Sequence, residues 1–363
     1  MQPVYVHGIP TGSRDADLAA SIRDIMLKAT ADFTWLSEGD IVLLKPALNS
    51  PDPYPATTHP LAVSTAADLL ARHGAKVIIG DQSGIEHVLH HKAGVIRGSS
   101  KGNYIASGMG SPSDTRFVSF EDGGWDEGFS RYRSVRTPSW PDGFYLTSWV
   151  KKADHIISLP RVSAHSQAGA TLGLKCMVGL LREDSRMEFH ANGPYNSFIT
   201  RAAKGSTLIS RNDGSRKFFE KIVEISDAVR QKFRMSLFVA TELQVTFGPD
   251  RYALRVGRWG LGRSYVVRPD PGLVFGSTDP VAADAFALAF LKDLKKSSPR
   301  IPQFAERVLL SGNRNVRDLI NMSVLQHTYI RHARKIGLGD LPSGLICTDV
   351  PQQIQERLNQ HLL

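Results

Sequence analysis

Three adjoining pieces decide the fold class: Gly39-Asp-Ile-Val-Leu-Leu-Lys-Pro46, Pro60-Leu-Ala-Val-Ser-Thr-Ala-Ala-Asp-Leu-Leu-Ala-Arg72 and Gly74-Ala-Lys-Val-Ile-Ile-Gly-Asp81. Ile41–Leu44 is a short, unbroken apolar run, which suits a strand covered on both faces. In the second piece Leu61, Leu69 and Leu70 stand among alanines and read as a helix, with Gly74 a natural stop. Val77–Ile79 is a second buried strand. Strand, helix, strand in this order is a βαβ unit, whose strands are parallel and whose crossover is right-handed.

The same alternation extends outward. Asp17–Lys28 sets Leu18, Ile22, Ile25 and Met26 on one helical face, with Asp15 and Asp17 at the positive end of the helix dipole. His155–Leu159, Leu237–Val239 and Leu273–Phe275 read as strands. Phe218–Phe233 reads as a helix. Pro280–Leu291 is a further helix, with Asp279 as its N-cap and proline in its first position. Val316–Ile336 and Ile354–Leu362 also read as helices. The stretch 94–142 is rich in Gly, Ser, Asp and aromatics and lacks periodicity. The expectation is an α/β fold: a largely parallel sheet with flanking helices, in two lobes around a central cleft. Residues 1–295 form the core, with an irregular insertion near 94–142, and 296–363 form a helical segment packed on it.

Composition removes several classes. Of 363 residues, 42% are hydrophobic, enough to bury a sizeable core. The two cysteines, Cys176 and Cys347, exclude a disulfide scaffold and an internal four-cysteine zinc or iron–sulphur site. The N-terminus lacks the pattern of a signal peptide, and no apolar run approaches the roughly 20 residues of a membrane span. A cytoplasmic protein without a membrane partner is expected. Lys plus Arg exceeds Asp plus Glu by nine. The basic residues are scattered and no nucleic-acid motif is present, so nucleic acid ranks last among partners and a small-molecule substrate first.

Chemistry-bearing residues gather at strand ends, where ligands bind in open α/β sheets. Leu159-Pro-Arg-Val-Ser-Ala-His165 runs on to Gly169-Ala-Thr-Leu-Gly-Leu-Lys175, then to Arg186 and His190. Lys175 lies among Leu174, Cys176, Met177 and Val178. A desolvated amine there has a lowered pKa and serves as a nucleophile or a covalent anchor. His165 and His190 suit proton transfer or metal ligation. The alternative is that both histidines are hydrogen-bonded at the surface and Lys175 snorkels. Lys45 and Asn49 follow the first strand, and Thr58 and His59 precede a helix whose N-terminus favours anions. The alternative there is a helix cap with a solvated lysine. Asp81 ends the second strand, where it either orients a partner or serves turn chemistry. His87 and His91, four apart, would share a helix face, but the metal pattern H-E-x-x-H is absent. Gly98-Ser-Ser-Lys-Gly102 has the letters of a nucleophile elbow without its strand–turn–helix context, and reads as a flexible loop.

These pieces resemble the family catalogued as domain of unknown function 362. The match runs through Val42–Pro46, Thr58-His-Pro60, Gly74–Val77, Gly80-Asp81, His165, Thr171–Lys175, Gly179, Arg186, His190, Asp279–Asp284 and Gly337-Leu-Gly339. The resemblance implies an α/β fold and an uncharacterised activity. Many members carry iron–sulphur cysteine motifs, which this chain lacks, so a cluster is not expected. A more distant likeness is to the lactate racemases, which carry a nickel-pincer cofactor. It implies Lys175 as the cofactor's anchor, His190 as metal ligand and His165 as acid/base. The second acid/base a racemase needs has no clear position in this sequence.

The reading is therefore an enzyme with Lys/His acid–base chemistry, metal- or cofactor-assisted, on a small anionic or carbonyl-bearing substrate. Lys175, His165, Lys45 and Asp81 are its catalytic candidates, and His59, Thr58, Asn49 and Arg186 its substrate-binding ones. His190 is the candidate ligand for a divalent metal. The alternative is a non-catalytic binding protein for a phosphorylated or carboxylated ligand.

Overall fold

The computed structural model describes residues 1–190, 217–256, 259–311 and 313–362. The deciding segment folds as read: β2 (Ile41–Pro46), α2 (Pro60–Arg72) and β3 (Lys76–Asp81), preceded by β1 (Val4–Ile9) and α1 (Asp15–Thr30). β2 and β3 pair in parallel, with Val42 opposite Val77 and Leu44 opposite Ile79. They belong to an eight-stranded sheet. Its order is Leu345–Thr348, β1, Gly272–Ser277, Phe233–Ala240, His155–Leu159, β2, β3, Phe117–Ser119. Gly272–Ser277 runs antiparallel to both neighbours, and every other pairing is parallel.

Strand periodicity sends alternate side chains to opposite faces. Val42 and Leu44 pack with Ile22, Ile25 and Met26 of α1 and Val63, Ala66 and Leu70 of α2. Leu43 points the other way, into the core built on Phe238, Phe275, Phe286 and the long helix Pro280–Ser297. Covering on both faces explains why β2 is apolar at every position from 41 to 44. Asp279 caps the long helix through the backbone N–H groups of Val281 and Ala282. No helix among the described residues is long and apolar enough to cross a membrane.

Several elements differ from the sequence reading. Within 94–142, read as irregular with short strands, Phe117–Ser119 joins the sheet as one edge, and within 296–363 Leu345–Thr348 forms the other. Strands of three and four residues are too short to show a period. The expected helix 316–336 is two helices, Arg314–Asn321 and Thr328–Lys335. The Lys292 ammonium binds the carbonyls of Leu319 and Met322 and so supplies a stop that no local residue announces. His87 and His91 share no helix, because His91 lies in the strand Leu89–His91 that pairs with Gly94–Arg97. Gly98–Gly102 is not a free loop. Ser99 caps the helix Ser100–Ala106, and the buried Ser100 hydroxyl donates to Glu121.

Candidate functional site

A cavity of about 150 Å³ opens at the carboxyl ends of β2, β3 and His155–Leu159. The segment 161–179 forms much of its wall, and the loop around Asp250 closes another side.

The carboxyl end of β2 brings in Lys45. It is 1% exposed, and its ammonium lies 2.8 Å from Asp81 Oδ1 at the end of β3. It also donates to the Pro46 carbonyl at 2.7 Å. Asp81 is held in turn by the N–H groups of Leu48 and Gln82. Burial pushes the Asp81 carboxyl up, against the pull of Lys45 and Arg186. Gly179 covers this pair, and a Cβ there would collide with both Asp81 and Lys45.

Lys175 reaches the same cavity on a single turn, Gly173–Cys176. That turn hangs from the long helix. The buried Asp284 carboxylate accepts from the N–H groups of Gly173 at 2.7 Å and Leu174 at 2.9 Å. Burial pushes the Asp284 carboxyl up to about 7, against those two hydrogen bonds. The Lys175 ammonium itself has no hydrogen bond or ion pair among the described residues. Burial, with the charges of Arg161 and Arg186, pulls its pKa down to about 7. Cys176 beside it is buried and its thiol is raised, which makes it a poor nucleophile.

His165 lines the cavity too, and its Nδ1 accepts the N–H groups of Gln167 and Ala168. Two donors at Nδ1 put the proton of the neutral ring on Nε2. Arg186 lines the wall and donates to the carbonyls of Gln82 and Ser83. Arg161, 2% exposed, donates to Gln244 and the Pro55 carbonyl, and burial lowers it to about 10. Its Nε, and Nε2 of the buried Gln167, have no partner among the described residues.

In the same lining Glu86, His87 and Asp250 each offer a ligand-type atom, all within 4.8 Å of one another. His87 Nε2 lies 2.6 Å from Asp250 Oδ2, and Asn49 donates its amide to Asp250 Oδ1. Burial disfavours the charged His87, but Asp250 and Glu86 outweigh it and raise its pKa.

Six of the nine residues singled out in the sequence therefore meet here: Lys45, Asn49, Asp81, His165, Lys175 and Arg186. Thr58 and His59 do not line the cavity. Thr58 Oγ1 donates to the Leu159 carbonyl and accepts from Ala47 N–H, tying two strand ends together. His59 caps α2 at Leu61 N–H, stacks edge-on to Tyr54 and is held down at about 4 by burial. Both serve the backbone, the alternative open in the sequence. His190 ends the helix Glu183–His190, and its side chain lies outside the described residues. Of the residues selected by the racemase likeness, Lys175 and His165 line the cavity. Sequence reasoning missed Arg161, Glu86 and Asp250 as site residues. Arg161 sits directly after a strand-ending proline, which was a usable signal. Asp250 lies 163 positions from His87 and carried none.

Fold and site together define an α/β protein with a cavity beyond the carboxyl ends of its parallel strands. The chain belongs to the family described as Domain of unknown function (DUF362), whose model matches residues 42–289. No curated protein matches it. A search of solved structures returns the lactate racemase apoprotein from Thermoanaerobacterium thermosaccharolyticum, 11% identical with a TM-score of 0.40. The match covers 73% of this chain and 54% of the racemase, so the chain spans about half the length of that enzyme.

Proposed function

We propose that the chain is an enzyme that moves a proton on a small anionic or carbonyl-bearing substrate, with Lys175 and His165 as acid/base groups. One observation carries this reading: the Lys175 amine lines the cavity without a partner among the described residues and with a pKa of about 7. Near neutral pH it is poised between free base and acid, the condition in which general acid–base catalysis is most efficient. Arg161 and Arg186 hold positive charge in the same wall and favour a carboxylate or phosphate beside it. His165 presents the Nε2 proton. Lys45 and Asp81, neutralised by each other, shape the floor. If a carbonyl-bearing cofactor is anchored in the cavity, Lys175 is the residue placed to hold it.

The direct test is exchange of solvent deuterium. Purified protein in D2O is offered small hydroxy-, keto- and phospho-carboxylates, and incorporation at the carbon beside the carbonyl or carboxylate is followed by NMR. Incorporation in the wild type, lost in Lys175→Met and reduced at least a hundredfold in His165→Ala, supports the reading. A compound that raises the melting temperature yet exchanges in no case overturns it in favour of the binding protein, which the cationic wall also suits.

A further inference from the structure

We infer that Glu86, His87 and Asp250 form a binding site for a divalent first-row metal ion in the lining of the cavity. The inference deepens the reading above by adding a cation to the same cavity, but none of its ligands is a residue that reading uses.

The donor set is one imidazole nitrogen and two carboxylate oxygens. Such a mixed set suits Zn²⁺, Mn²⁺ or Fe²⁺ better than the purely oxygen-ligated Ca²⁺. Their ligand atoms lie within 4.8 Å of one another. Donors on one cation with bonds of about 2.1 Å lie about 3.0–3.4 Å apart, so modest side-chain movement brings this set onto one ion. A cation would also replace the hydrogen bond between His87 Nε2 and Asp250 Oδ2, which lie 2.6 Å apart.

A second observation concerns charge. Asp250 is buried at 7% exposure with His87 as its charged partner, and neither it nor Glu86 is ion-paired to a lysine or arginine among the described residues. Buried carboxylates ordinarily find a countercharge or a metal. Of the cavity's cations Lys45 is already committed to Asp81, and Gln244 links Arg161 to the Asp250 backbone. The three donors thus form an acidic, histidine-bearing patch within a cavity that also holds basic residues.

The ligands are also supported from behind, as ligands of a metal site are. Asn49 Nδ2 holds Asp250 Oδ1. Gln244 and Ser264 both donate to the Asp250 carbonyl, at 3.2 and 2.8 Å, which fixes its backbone. All three ligands line the cavity. Three protein donors leave coordination positions open, the arrangement of a catalytic metal. An oxyanion held by the cavity's basic residues would reach those positions within the same cavity. The expected ligand class is a small oxygen-bearing anion bridging the cation and those basic residues.

The test is calorimetric titration of chelator-treated, dialysed protein with ZnCl₂ and separately with MnCl₂. One equivalent per chain with sub-millimolar affinity is expected for at least one of them. Affinity should fall at least tenfold in His87→Ala and in Glu86→Gln, and stay within twofold in His91→Ala, whose ring lies off the cavity. Glu86 is exposed, so its glutamine variant keeps the test open if His87→Ala fails to fold. No binding of either ion below millimolar, or unchanged affinity in Glu86→Gln and every folded His87 variant, overturns the inference. The two readings fail separately: metal binding without deuterium exchange sinks the acid/base proposal alone, and exchange without metal binding sinks this one alone.

Discussion

Lys45 and Lys175 share one cavity and differ in almost everything that decides a lysine's chemistry. Lys45 ends a strand of the central sheet, almost wholly buried, with Asp81 at 2.8 Å and a carbonyl at 2.7 Å. Lys175 sits on one turn of helix with no partner among the described residues and arginines for neighbours, and its pKa falls to about 7. The difference teaches that burial alone does not activate an amine. A buried cation with its anion is structure, whereas a buried cation without one is a base at neutral pH.

Opposite stability effects sharpen the comparison most. Asp81→Ala strands a buried ammonium and should cost about 3–5 kcal/mol in urea unfolding. Lys175→Met removes an unpartnered one and should leave stability equal or higher while abolishing exchange. A large loss in Lys175→Met would break the comparison. Gly179→Ala attacks the paired lysine from its cover. The new methyl must displace Asp81 or Lys45, at about 1–3 kcal/mol. Asp284→Ala attacks the unpaired lysine through its support. Two buried N–H groups lose their acceptor, at about 1–3 kcal/mol each. The same variant should move Lys175 toward its ordinary value as the turn loosens.

The sign of the pH dependence follows from the depressed pKa. The folded chain loses the Lys175 proton near 7, and the unfolded chain keeps it to about 10.5. Between those values the unfolded state binds more protons, so this group's contribution makes stability rise with pH. Comparing wild type with Lys175→Met from pH 7 to 10 isolates that rise, which the variant should lack. The smallest effect is expected at His59→Ala. It removes a helix cap outside the cavity, for about 1 kcal/mol or less, and should leave Lys175 unchanged.

The sheet was legible because β2, α2 and β3 are long, apolar and periodic enough to be read locally. Its two edges were not, because Phe117–Ser119 and Leu345–Thr348 are strands only through their neighbours. At the site, the residues after strand ends were legible by position: Lys45, Asp81, His165 and Lys175. Their roles were not. Nothing in the sequence says that Asp81 takes Lys45 and leaves Lys175 alone, since all three are far apart in the chain. Thr58 and His59 illustrate the reverse. Their place before a helix was readable, but whether a helix N-terminus faces a ligand or a strand end depends on tertiary packing.

The most direct test is the reactivity of Lys175 itself. Its modification by a trace amine reagent, read peptide by peptide by mass spectrometry across pH 5 to 11, gives its titration curve in the folded protein. A midpoint near 7, well below that of the surface lysines, is the result expected. A midpoint at 10 or above would show an ordinary lysine and contradict the central claim.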